Sequence, residues 1–220
     1  MRRSTHRRCA GESEVSIDRE RVRRWIELFA QSMAEHRQEL VRLDTAIGDG
    51  DHGTNMDRGM QRALEKLRAD EPADPAAVLK AVAMTLISTV GGAAGPLYGT
   101  LFLQLGGGLG EHPDADLAAY AAAWRRAVDA VQARGKAQSG DKTMVDALLP
   151  AVAALEQASE LDAGLRAAAD AAREGMLATT PMVARRGRAS YLGERSAGHQ
   201  DPGATSTYYL FESAAQALAG

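Results

Sequence analysis

Residues 15–44, VSIDRERVRRWIELFAQSMAEHRQELVRLD, place apolar side chains at Val15, Ile17, Val22, Trp25, Ile26, Leu28, Phe29, Met33, Leu40 and Leu43. Steps of three and four residues recur through that set, the period that lays one apolar stripe along an α-helix. One long helix is therefore expected, ending near Asp44. Carried outward, the same pattern gives helices over 55–70 and 76–90, then a fourth that begins near Pro96 and dissolves into the GGGLG run at 106–110. Further helices are expected over 116–134, from beyond Asp141 to about Ser159, over 163–179 and over 204–218. Glycine and proline punctuate the connections: Pro72 and Pro75, Gly91 and Gly92, Gly135, and the long polar loop 181–203. The sum is about eight helices with no convincing strand, an all-α bundle.

Composition agrees with that fold class. Alanine is abundant and aromatic residues make up 5%, a balance that favours helices packed through small side chains over sheets. A chain of 220 residues is of a size to bury a continuous core as one domain, here expected over 15–220 behind a disordered tail at 1–14. The formal net charge of -3 offers no basic footprint for nucleic acid. Cys9 is the single cysteine, so no disulfide framework exists and a reducing cytoplasm fits. The tail is rich in arginine, but no apolar stretch follows to make it a secretory signal. The most apolar run, 81–90, is about half the ~20 residues a membrane helix needs. No membrane association is expected.

The densest chemistry lies in LDTAIGDGDHGTN at 43–55, where Asp44, Asp49 and Asp51 are interleaved with Gly48, Gly50 and Gly53. The glycines let the backbone fold tightly enough for three carboxylates to converge. Converging carboxylates repel one another and hold on to protons, and a hard divalent cation with oxygen ligands, such as magnesium, relieves both effects. The alternative, that these aspartates only cap helices and turn the chain, stays open for each singly. His52 and Asn55 in the same stretch weigh against it for the group.

Three familiar motifs nearly match and fail. Gly48, Gly50 and Gly53 satisfy a dinucleotide glycine spacing, but no strand precedes them and two aspartates would face the pyrophosphate. A calcium-loop register starting at Asp49 meets Gly53 and Met60 where oxygen ligands are required. In GKAQSGDKT at 135–143, Asp141 intrudes between Gly140 and Lys142, which spoils the P-loop register. A further polar cluster, 187–205, holds Arg188, Glu194, Arg195, His199 and Asp201. Its Asp201-Pro202-Gly203 end reads as a helix start whose free N–H groups suit a phosphate, or equally as a capped loop tied by surface ion pairs.

Four segments, LDTAIGDGDHGTNM, VGGAAGPLYGT, RGKAQSGDKTM and GRASYLGERSAGHQDPGATS, together resemble the signature segments of the dihydroxyacetone kinase L subunit family, in order and from about residue 20 onward. The resemblance implies an eight-helix antiparallel barrel with ADP or ATP at one end, and two magnesium ions held by Asp44, Asp49 and Asp51. It implies that His52, Gly53, Thr54 and Asn55 line the phosphates and adenosine. Ala93, Ala94, Gly135, Met144, Arg188, Asp201, Pro202 and Gly203 would complete the pocket, and relatives often carry Ser where Ala94 stands. No catalytic base is implied on this chain. A separate K subunit would hold dihydroxyacetone covalently through a histidine. In the phosphotransferase-dependent branch a third, M-type subunit with a phosphohistidine would recharge resident ADP, and a stand-alone L-type chain leans toward that branch. A homodimer is a further expectation. Two alternatives accompany this reading: an ATP-dependent kinase subunit for another short ketose, and a non-enzymatic module that senses nucleotide for a regulator.

Overall fold

The computed structural model describes residues 17–110 and 116–219, and the tail expected at 1–14 lies outside the described residues. Among the described residues nine α-helices follow one another: α1 Arg19–Glu35, α2 Arg37–Ile47, α3 His52–Asp70, α4 Pro75–Thr89, α5 Ala94–Gly110, α6 Leu117–Gly135, α7 Val145–Gln157, α8 Leu161–Ala178 and α9 Pro202–Leu218. A 3-10 segment, Arg188–Ser196, occupies the polar loop before α9. There is no strand among the described residues. No helix among them is long and apolar enough to cross a membrane.

Aspartate starts four of the helices. Asp18, Asp74, Asp116 and Asp201 each accept a hydrogen bond from the backbone N–H three residues on, at 2.9, 2.7, 2.9 and 2.7 Å. Each bond satisfies an N–H that the helix itself leaves unpaired.

Successive helices pack on one another, and α9 packs back on α1, so the bundle closes into a ring. Short connections make neighbours antiparallel. Inside the ring, Trp25 lies 5.9 Å from both Phe102 and Trp124, and Trp124 lies 4.5 Å from Phe211, ring centre to ring centre. The Trp25 indole N–H donates to the Leu210 carbonyl at 3.0 Å, so the largest buried side chain of α1 also satisfies its polar atom against α9.

Two elements differ from expectation. The long first helix divides at His36, whose ring stacks on Tyr209 at 4.1 Å while the Tyr209 hydroxyl donates to Glu39 at 2.7 Å. Contacts from α9 thus hold the break. The fourth expected helix does not dissolve at GGGLG: α5 runs on to Gly110. A Cβ at Gly106 would stand 3.1 Å from Leu79 Cβ, and one at Gly108 would stand 2.6 Å from Ala123 Cβ. Those glycines are the price of pressing α5 between α4 and α6, and the packing outweighs their poor helix propensity.

Candidate functional site

Antiparallel alternation brings four connections to one end of the barrel: α2 to α3, α4 to α5, α6 to α7 and α8 to α9. Four helix N-termini therefore point the same way. A cavity of about 490 Å³ opens there, and α3, α5, α7 and α9 all contribute to its lining through His52, Ala94, Val145 and Pro202. Helix N-termini carry partial positive charge and free N–H groups, so their convergence favours a polyanion. Part of the wall is apolar, with Pro96, Leu97, Val131, Ala137 and Met144. A flat apolar ring with a phosphate chain matches both halves.

The acidic turn between α2 and α3 forms the cavity edge. Oxygens of Asp44, Asp49 and Asp51 lie within 4.8 Å of one another, with Asp44 buried and the other two exposed. Asp44 Oδ2 accepts the backbone N–H groups of Asp51 at 2.8 Å and His52 at 3.1 Å. Asp44 therefore caps α3, whereas Asp51, at the cap position, makes no capping bond with its side chain. Asp44 thus turns the chain and also stands in the carboxylate cluster. Burial and then the charge of Asp49 push the Asp51 carboxyl upward, with Asn55 opposing through a hydrogen bond. Three hard oxygen donors that repel one another suit a divalent cation such as magnesium.

Glycine at 48 is what lets Asp44 aim inward, because a Cβ there would stand 2.1 Å from Asp44 Oδ1. A Gly48→Ala variant is expected to fold but to need at least roughly tenfold more magnesium for ligand binding, the scale seen when support around a metal ligand is lost. Titration of magnesium into protein with ADP measures it, and an unchanged midpoint would remove the acidic turn from the site.

The facing wall is set by the 3-10 segment. Ala184, Ala189 and Leu192 pack on Ile47 at the end of α2, which seats Arg188 so that its Nε lies 2.9 Å from Asp49 Oδ2. His52 is held from behind: its Nε2 lies 2.9 Å from Ser206 Oγ, and burial lowers its pKa to about 4. It is neutral at physiological pH. Lys142 borders the cavity, but its ammonium is committed elsewhere and does not act as a phosphate cradle would. Its ammonium donates to the carbonyls of Thr179, Thr180, Met182, Ser196 and His199.

Asp201 is buried at 8% exposure at the head of α9. Burial pushes its carboxyl up to about 7, the Asp146 charge adds to this, and Lys142 opposes it. A carboxyl that holds its proton more tightly when folded adds stability at low pH, and that contribution is lost as pH rises from about 4 to about 7. Asn keeps the cap but cannot titrate. Without divalent cations, Asp201→Asn is therefore expected to gain stability relative to wild type between pH 4.5 and 7.5, on the order of 3 kcal/mol. Urea denaturation at both pH values measures the gap, and a pH-independent gap would mean that Asp201 titrates normally.

Of the residues singled out from sequence, Asp44, Asp49, Asp51, His52, Asn55, Ala93, Ala94, Gly135, Met144, Arg188, Asp201, Pro202 and Gly203 line the cavity. Gly53 and Thr54 do not. A Cβ at Gly53 would stand 2.3 Å from the Arg37 carbonyl, so that glycine serves the packing of α3 on α2, and Thr54 faces solvent. Missed in the sequence were Arg134, Arg186, Thr143 and the apolar wall of Pro96, Leu97, Val131 and Ala137. Arg134 and Thr143 sit inside a segment already singled out, which was the available signal. Val131 carries none, because a helical apolar residue reads as core.

A family model described as the DAK2 domain matches residues 46–216. The ADP-binding subunit DhaL of the PEP-dependent dihydroxyacetone kinase of Escherichia coli is 42% identical over 202 residues, covering 90% of this chain and 96% of that one. The ADP-binding subunit DhaL of the PTS-dependent dihydroxyacetone kinase of Lactococcus lactis is 42% identical over 195 residues, 89% of this chain and 95% of that one. Among solved structures, the dihydroxyacetone kinase of C. freundii superposes with a TM-score of 0.70 at 25% identity. That match covers 98% of this chain and 38% of the larger one.

Proposed function

The chain belongs to the DAK2 domain family, and from that premise we propose that it is the nucleotide-carrying subunit of a dihydroxyacetone kinase. It delivers the γ-phosphoryl group of a bound adenine nucleotide to dihydroxyacetone held on a separate K subunit. The relatives named as ADP-binding subunits match over nearly their full length, which supports reading this chain as the same functional part, one nucleotide-binding domain over 15–220. The observation that carries the proposal is the meeting of three carboxylates, within 4.8 Å, with the N-terminal ends of four helices around one cavity of about 490 Å³.

Asp44, Asp49 and Asp51 would hold magnesium, as two ions. Bound there, magnesium would supply positive charge to offset that of the nucleotide's phosphates during transfer. This chain's residues position and do not react. Asp44 fixes the α3 terminus toward the phosphates, and His52 and Asn55 line them. Ala93 and Ala94 leave room for close backbone approach at the α5 terminus, and Gly135 and Met144 border the base. Arg188 supplies positive charge from the 3-10 segment, and Asp201 to Gly203 close the floor. His52, neutral and tied to Ser206, is not a base for the acceptor, and none is required on this chain.

The PEP- and PTS-dependent relatives support the branch in which ADP stays bound and an M-type phosphohistidine subunit recharges it, in the cytoplasm. Mass spectrometry of the freshly purified protein tests this directly, with stoichiometric ADP as the expected result. Reconstitution with a K-type subunit and a panel of ketoses tests transfer, and the mass of the assembly reports whether the chain is a homodimer. An empty site together with no transfer to any K-type partner would overturn the proposal.

A further inference from the structure

Asn55, only 7% exposed, lies one turn into α3 and lines the cavity beside the aspartates. Its amide has two different ends, a carbonyl oxygen that accepts and a nitrogen that donates, and a half-turn exchanges them. The nitrogen end is the one that can donate to a carboxylate, and the Asn55 amide favours the charge of neighbouring Asp51. What fixes the amide that way round sits on its far side. There the Arg58 guanidinium donates from Nη2 to Asn55 Oδ1 at 2.7 Å. A guanidinium has no acceptor to offer an amide NH2, so a flipped Asn55 would lose the Arg58 bond and turn its oxygen toward the aspartates.

The same Arg58 nitrogen donates to the Thr89 carbonyl at 3.2 Å. Thr89 ends α4, directly before the turn whose Gly91, Gly92 and Ala93 form another wall of the cavity. The reach is short because α3 and α4 press together at Gly59, where a Cβ would stand 2.2 Å from Val90 Cγ2. Arg58 itself does not line the cavity.

We propose that Arg58 is a positioning residue for the metal site: it locks the Asn55 amide with its NH2 toward Asp51, leaves the remaining Asp51 lone pairs to the cation, and ties the 91–93 wall to α3. The inference rests on the proposed magnesium-nucleotide function. It is distinct from a contact to ligand, because Arg58 acts only through Asn55 and the α4 terminus.

The test is Arg58→Met in the full chain. The magnesium concentration that half-saturates ADP binding should rise about tenfold, the scale of losing an outer partner of a metal ligand, while binding at saturating magnesium recovers. A residue that merely stabilised the fold would lower the thermal midpoint and leave that magnesium midpoint in place. Once Asn55 is replaced by Ala, Arg58→Met should add little, since both changes cut one chain of bonds. In ligand-free protein the Asn55 side-chain amide resonances should shift and broaden in Arg58→Met. An unchanged magnesium midpoint, or full additivity with Asn55→Ala, would overturn the proposal. Should wild-type protein bind no ADP with magnesium, the functional reading fails, and the Asn55 resonances still decide whether the relay exists.

Discussion

Asp51→Ala is expected to abolish magnesium-dependent nucleotide binding while the ligand-free protein keeps its thermal midpoint or gains slightly. The two halves of that expectation have different causes. Binding is lost because one of three convergent oxygen ligands disappears from a cluster only 4.8 Å across, which leaves the cation short of charge and of donors. The fold survives because Asp51 makes no capping bond, and Asp44 holds the α3 terminus in its place. Burial and the neighbouring Asp49 already disfavour the Asp51 charge, so its removal relieves repulsion in the ligand-free protein. Asp44→Ala should differ in kind: it loses the ligand and also the cap, worth about 1 kcal/mol. Calorimetry with ADP and magnesium, paired with thermal melts, measures both. Undiminished affinity in Asp51→Ala would mean that these carboxylates do not hold the cation.

That expectation was half legible in the amino-acid sequence. Three aspartates among three glycines announced convergence, because few other arrangements tolerate such density. Which of the three would also cap α3 was not legible, since the bond from Asp44 to the Asp51 and His52 N–H groups depends on how α2 ends. Helix existence followed from periodicity, and the stop at GGGLG was misjudged because propensity knows nothing of Ala123 or Leu79 waiting across the gap. Gly53 and Thr54 were assigned to the nucleotide by their place in a motif, yet one packs on α2 and the other points to water. Arg58 was invisible for a further reason. Its partners are an amide three residues back and a backbone carbonyl, and a carbonyl leaves no mark in a sequence.

Lys142 is the strongest case of that kind, and its removal should be the most damaging single change outside the acidic turn. It is 1% exposed, and its backbone takes the left-handed conformation at φ 63°, unfavourable for a side chain of its type. Its ammonium has three donors and five carbonyls around it, from Thr179, Thr180, Met182, Ser196 and His199. Those carbonyls belong to the α8 terminus and to both ends of the segment that carries Arg188, so one cation holds together the wall facing Asp49. Burial lowers the Lys142 pKa and the Asp201 charge offsets part of that, which favours keeping the proton. Lys142→Met has nearly the same length and no donor. It leaves several buried carbonyls unpaired, a loss on the order of 4 kcal/mol at about 1–3 kcal/mol for each group left without a partner. For a chain of this size that is a fall in thermal midpoint of roughly 10 °C. ADP affinity should fall with it even at temperatures where the variant is folded, because Arg188 and the Asp201 cap lose their anchor. Lys142→Arg keeps the charge but brings a planar fork to a cage built around a compact head, and should fall between the two. Differential melting curves with and without ADP and magnesium separate the effects, and a Lys142→Met protein that melts like wild type would show that the carbonyl cage is held by something other than its ammonium.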